Sequence, residues 1–222
     1  IVVGQGHRRG LGIRVAGREY LACQDPDTRA TIEEKGPLHI VIRATGSFRD
    51  ESGERQFDFD CRLYAYAGCP YVETVVTLLN RQGREADHIP LDGFFVELPT
   101  TIRRGTCTFG AENAGVVQGN LTEKPEAYVF QSSSSEHTFG GAVEGHGGGK
   151  QTKPDTIGWA GLSDGTKGLA AGVKWFWQLH PKSIELDAEG RLHVGLYPAR
   201  QAKPLQIYTG VARTHELRLF FH

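Results

Sequence analysis

Apolar residues recur at every second position through almost every hydrophobic run of this chain, and turn-forming clusters interrupt those runs at short intervals. A period of two sends alternate side chains to opposite faces of an extended strand, whereas an amphipathic helix needs a period near 3.6. The pattern predicts an all-β fold, a large antiparallel two-sheet β-sandwich with roughly a dozen strands and almost no helix. The expected strands cover residues 12–23, 30–34, 38–45, 56–66, 71–79, 93–98, 127–131, 157–162, 168–179, 183–187, 192–197 and 211–221. Turns are marked by Asp50-Glu51-Ser52-Gly53, Ala67-Gly68-Cys69-Pro70, Ser163-Asp164-Gly165 and Asp187-Ala188-Glu189-Gly190. Each supplies a residue that tolerates positive φ or fixes a bend.

The size of 222 residues fits one large sandwich, so residues 1–222 are expected to form a single domain. The last strand pattern is still running at His222 and the sequence has no methionine, so the chain is expected to be a fragment of a larger multidomain protein. With 25 basic and 26 acidic residues the net charge is −1, which gives no general attraction for nucleic acid or an anionic membrane surface. No run approaches the roughly 18 apolar residues of a membrane span. Any ligand has to be held by a local site.

Several motifs that carry chemistry elsewhere fail here on spacing. Cys23, Cys61, Cys69 and Cys107 contain no C-x-x-C pair, so no zinc ribbon or redox motif is expected, and Cys61 reads as a small core residue. Gly145-His146-Gly147-Gly148-Gly149-Lys150 lacks the leading glycine, the Ser/Thr and the following helix of a phosphate loop. His215-Glu216 lacks the second histidine of a zinc protease. His137, Glu144 and His146 share a glycine-rich segment, 132–153, that reads as a loop, and solvated histidines are the commoner outcome there. No metal and no cofactor is expected.

Two strands define faces. Phe57, Phe59, Cys61 and Leu63 point one way and Asp58, Asp60, Arg62 and Tyr64 the other, giving a half-buried strand with a charged outer surface. In the run from Leu169, residues Leu169, Ala171, Val173, Trp175, Trp177 and Leu179 share one face, read as core, while Lys174, Phe176, Gln178 and His180 share the other. An aromatic face stacks on pyranose C–H surfaces while amide, amine and imidazole bond hydroxyls, so that second strip suits either a sugar or a neighbouring domain. On the last strand Arg213 and His215 head an apolar stripe of Leu217, Leu219 and Phe221. Arginine can hold a uronate carboxylate bidentately, or it can be a structural residue bonded to carbonyls near a sheet edge. Lys182, after Pro181, is either an exposed charge or a catalytic amine.

Four stretches in order extend this reading: Ile32-Glu33-Glu34-Lys35-Gly36-Pro37; Arg62-Leu63-Tyr64-Ala65-Tyr66-Ala67-Gly68 with Val72-Glu73-Thr74-Val75-Val76-Thr77; Trp175-Phe176-Trp177-Gln178 with Pro181-Lys182; and Arg213-Thr214-His215-Glu216. Together they resemble the central β-sandwich domain of exo-acting rhamnogalacturonan lyase-like proteins. The resemblance implies a supersandwich between a small N-terminal β domain and a C-terminal α/α toroid. It also implies β-elimination at a uronic acid, in which a cation neutralises the carboxylate, a base takes the C5 proton and an acid protonates the leaving oxygen. On that basis Arg213, Phe176, Gln178 and His180 are the expected substrate contacts, and Lys174, Lys182 and His215 the candidate catalytic groups. The expected partners are an acidic polysaccharide or oligosaccharide and adjacent domains of the same chain. The expected location is secreted or periplasmic, and this piece alone need not be active. A non-catalytic carbohydrate-binding domain or a structural scaffold is the alternative.

Overall fold

The computed structural model describes residues 10–81, 88–112, 115–145, 148–150 and 157–222. The chain opens with β1 (Leu11–Val15), β2 (Arg18–Leu21), β3 (Arg29–Lys35), β4 (His39–Arg49), β5 (Arg55–Tyr66) and β6 (Tyr71–Leu79). It continues with β7 (His88–Leu91), β8 (Gly93–Pro99), β9 (Thr106–Gly110), β10 (Val116–Asn120), β11 (Glu126–Gln131), β12 (Glu136–Gly141) and β13 (Gly148–Lys150). It closes with β14 (Trp159–Ser163), β15 (Gly168–Val173), β16 (Lys182–Asp187), β17 (Arg191–Tyr197), β18 (Leu205–Tyr208) and β19 (Ala212–Phe221). A 3-10 turn, Ala22–Gln24, interrupts the strands between β2 and β3.

Antiparallel pairing runs β3–β4–β5–β6–β19–β15–β14–β9–β10 through a first layer. It runs β2–β1–β8–β17–β16–β11–β12–β13 through a second. The layers join where Leu21 pairs with Arg49, making one folded 17-stranded sheet. Strands β7 and β18 form a separate ribbon. Inward residues of both layers merge into one core, as where Phe48 of β4 meets Phe94 of β8 edge-on at 6.3 Å. Each fully buried side chain of this size stabilises the fold by about 1.5–3 kcal/mol relative to exposure.

The fold is the expected antiparallel β-sandwich, with local departures that have physical causes. The expected strand 12–23 is a hairpin, because Ala16 and Gly17 take positive φ (49° and 74°) and reverse the chain. The segment 132–153, read as a loop, contributes β12 and β13, whose glycines are held by ladder partners on neighbouring strands. Strands β7, β9, β10 and β18 are short and carry too few alternating residues to be recognised alone. In β5 the alternation breaks: Phe57 has φ 49° opposite a bulge at Ser47/Phe48, so Asp58 is buried beside Phe57 and Phe59 rather than facing solvent. Cys61 does pack against the core, and burial pushes its thiol up to about 11.

The largest departure concerns the aromatic run. Strand β15 ends at Val173, and residues 174–179 turn across one end of the sandwich towards β16. Trp175 adopts φ 57° and is 54% exposed, so it is not core, while Phe176 is 2% exposed and is. Gly158 makes this possible, since a Cβ there would lie 2.5 Å from the Phe176 Cβ. The shared strip of Lys174, Phe176, Gln178 and His180 therefore does not form: the strand that would have aligned them stops before they begin.

Candidate functional site

The turn delivers Lys182 to the first position of β16, where alternation points it inward with Ile184 and Leu186. Its side chain is almost fully buried, yet its ammonium has three acceptors. Lys182 Nζ donates to the Leu179 carbonyl at 2.5 Å, the Leu196 carbonyl at 2.8 Å and the Pro181 carbonyl at 3.4 Å. Burial, and then the nearby Arg213 charge, push the Lys182 pKa down to about 7. The three carbonyls oppose that shift, because they bond the charged form.

His215 faces Lys182 from the first layer. On β19 it shares the inward stripe with Leu217 and Leu219, and its ring lies 5.7 Å from that of Phe94. Burial, Lys182 and Arg213 together bring its pKa down to about 3, so the imidazole is neutral near pH 7. Its Nδ1 is buried without a hydrogen-bond partner. Arg213, two residues earlier, is exposed at the same end of the sandwich and makes no ion pair with a described residue. Tyr197 lies close enough for the Arg213 charge to act on its hydroxyl, which donates to the Lys203 carbonyl. The result is an exposed guanidinium backed by two buried basic groups.

The structure thus brings together Lys182, His215 and Arg213 and separates them from Lys174. Lys174 lies on the opposite face of the first layer, 2.7 Å from Glu216 and with its ammonium 5.7 Å from the Trp175 ring centre. Gln178 and His180 are exposed on the turn, and Phe176 is sealed beneath it. A single groove holding Lys174, Gln178 and Arg213 is absent from the described residues. Lys182 and His215 are closed off from solvent, so they set the electrostatics around Arg213 rather than presenting reactive atoms. No group of three or more His, Cys, Asp or Glu able to hold a metal occurs among the described residues, and His146 lies outside them.

A second surface is not legible in the sequence. On the outer face of the first layer, a cleft of about 1200 Å³ is lined by Tyr64, Tyr66, Trp159, Arg218 and Phe220 with Lys174 at its edge. These residues come from β5 and β19, from β14 and from the turn after β15. Each reads as an ordinary outward residue within its own strand, and only the pairing of strands gathers them.

Comparison with known proteins gives a consistent picture of the fold. The family model described as PcRGLX-like protein central beta sandwich domain matches residues 20–104, less than half of the chain. It is the domain type that the four stretches resemble, and it covers the first two of them. A search of curated proteins returns no match. Among solved structures, the chain is similar to the alpha-galactosidase from Lactobacillus brevis (8% identity, TM-score 0.56, 99% of this chain). It is also similar to the galactosidase domain of an alpha-galactosidase-sucrose kinase (10% identity, TM-score 0.58, 98% of this chain). A third is a GH36 alpha-galactosidase from Geobacillus stearothermophilus in complex with raffinose (10% identity, TM-score 0.54, 96% of this chain). The match spans 30% of each of those chains. At such identities the likeness is one of fold.

Proposed function

We propose that this chain is the β-sandwich domain of a carbohydrate-active enzyme, a polysaccharide lyase that cleaves uronic-acid-containing glycans of the rhamnogalacturonan or pectin type by β-elimination. The observation that carries the reading is Arg213, an exposed guanidinium with no acidic partner among the described residues, on a strand end whose buried neighbours Lys182 and His215 add no negative charge. The match of residues 20–104 to the PcRGLX-like sandwich family and the fold shared with galactosidases support the carbohydrate context.

In this reading Arg213 takes the uronate carboxylate in two parallel hydrogen bonds. Neutralising the carboxylate acidifies the C5 proton and stabilises the charge that develops as it leaves. The base and the acid come from an adjoining domain, since Lys182 is committed to three carbonyls and His215 is enclosed. A polymeric substrate goes with a secreted or periplasmic location. The burial of Lys182 and His215 equally favours a second reading, a binding or scaffold domain without catalytic groups of its own.

The test is to incubate the full-length protein with rhamnogalacturonan and with polygalacturonate and follow the ultraviolet absorbance of unsaturated uronate ends. Appearance of that absorbance, and its loss in Arg213→Ala, is the expected result. Saccharide binding with no unsaturated product points to the binding domain instead, and full activity in Arg213→Ala eliminates the carboxylate role.

A further inference from the structure

Cross-strand pairing builds a row of outward side chains across five strands of the first layer: Tyr64, Glu73, Arg218, Gly172 and Trp159, each paired with the next. The adjacent row reads Tyr71, Phe220, Ala170 and Gly161. In both rows the positions on β15, and in the second also β14, are glycine or alanine. These small residues form the floor of a trough. One wall is Arg218 with Phe220; the other is Trp159, two strands or about 9.5 Å away. That spacing admits a pyranose ring in contact with both walls.

The walls are apolar and aromatic where they meet the floor. Trp159 and Phe220 are 37% and 38% exposed, and Arg218 lies 4.8 Å over the Tyr71 ring, which packs 5.5 Å from Phe220. The charges in the trough cancel. Arg218 is bonded to Glu73 directly across the ladder, and Lys174 to Glu216 at 2.7 Å. A carboxylate ligand would have to compete with Glu73 or Glu216 for its cation. A neutral sugar needs no such exchange: its hydroxyls accept from Arg218 and Lys174 and donate to the free lone pairs of the two glutamates, while its C–H face packs on Trp159.

We propose that this trough is a binding site for neutral pyranose residues of a glycan, separate from Arg213 and on the opposite face of the same layer. The proposal rests on the carbohydrate reading above but not on lyase chemistry. Its occupant is chosen by charge complementarity: aromatic walls with paired charges suit an uncharged ring.

The experiment titrates this chain with β-1,4-galactotetraose and methyl α-L-rhamnopyranoside, and separately with tetragalacturonate, reading tryptophan fluorescence and ligand-observed NMR. The neutral probes are expected to bind with an affinity that changes little between roughly 20 and 500 mM salt. Trp159→Ala is expected to weaken binding about tenfold or more, the loss of one aromatic platform. Gly172→Leu serves as the second variant. A Cβ at Gly172 meets only the Trp159 Cβ at 3.9 Å, so the side chain fills the trough without disturbing the core and should abolish binding. Arg213→Ala should leave neutral binding unchanged. No binding of either neutral probe overturns the proposal. So does neutral binding untouched by both trough variants, or a salt-sensitive preference for tetragalacturonate that the trough variants remove. Lyase activity is read by a different signal, so failure of that reading and failure of this one are separable.

Discussion

Lys182 Nζ reaches the Leu196 carbonyl at 2.8 Å across the β16–β17 ladder and, from the same ammonium, the Leu179 carbonyl of the preceding turn at 2.5 Å. One buried charge therefore ties the end of a strand, its neighbour and the turn that crosses between the layers.

Replacing that lysine tests whether the tie stabilises. Lys182→Met keeps the volume but leaves three carbonyls, that of Leu196 buried and those of Leu179 and Pro181 partly so, short of a donor, and the loss is expected to be about 2–3 kcal/mol in urea unfolding. Amide exchange in residues 174–180 should accelerate with it. A gain in stability would mean that burying the ammonium costs more than its bonds return.

His215 predicts an acid limb. Its pKa is about 3 in the folded protein against the ordinary histidine value of 6.5, so the folded state binds fewer protons than the unfolded chain between those values. The stability it contributes is complete above pH 6.5 and is lost as pH falls towards 3. His215→Phe, which keeps a ring against Phe94 and removes the orphaned Nδ1, should flatten that limb while leaving stability at neutral pH equal or higher. Unfolding midpoints measured from about pH 7 to about pH 4 for both proteins decide it; parallel curves would refute the assignment.

Arg213→Ala should leave unfolding free energy within about 0.5 kcal/mol, because the side chain is exposed and makes no ion pair with a described residue. It should raise the pKa of His215, since Arg213 is among the charges that depress it. An NMR titration of the His215 ring reads this directly, and an unmoved value would show that the two groups are not electrostatically coupled.

A fourth expectation concerns Asp25. Burial pushes its carboxyl up, but the Ser47 backbone N–H at 2.8 Å, the Arg49 guanidinium at 2.8 Å and further donors from Asp27 and Ser47 outweigh it and hold the pKa below the usual range. Its contribution is present above the ordinary aspartate value of 3.8 and lost as pH falls below it. Gly46 makes room for this knot, since a Cβ there would sit 2.8 Å from Asp25 Oδ2. Asp25→Ala is expected to cost about 2–3 kcal/mol, and Gly46→Ala to destabilise for the steric reason alone. Thermal melts at neutral pH check both, and unchanged midpoints would remove the knot from the account.

The alternation of β5 beyond its bulge, and of β6, β16, β17 and β19, was legible because each is long enough, or apolar enough on one face, for a period of two to stand out. That period fixes which face of a strand a residue takes, so His215, Leu217 and Leu219 could be placed on one inward stripe from β19 alone. What alternation cannot specify is where a strand stops or which strand lies beside it. Trp175-Phe176-Trp177-Gln178 continues the pattern of β15 in sequence, yet the chain leaves the sheet at Val173 to cross between layers, exposing Trp175 and burying Phe176. The separation of Lys174 from Lys182, and the meeting of Trp159, Gly172 and Arg218, follow from strand order. Strand order is settled by pairing between residues distant in the chain, where local periodicity has no reach; the all-β character belongs to the sequence, and the sites belong to the packed sheets.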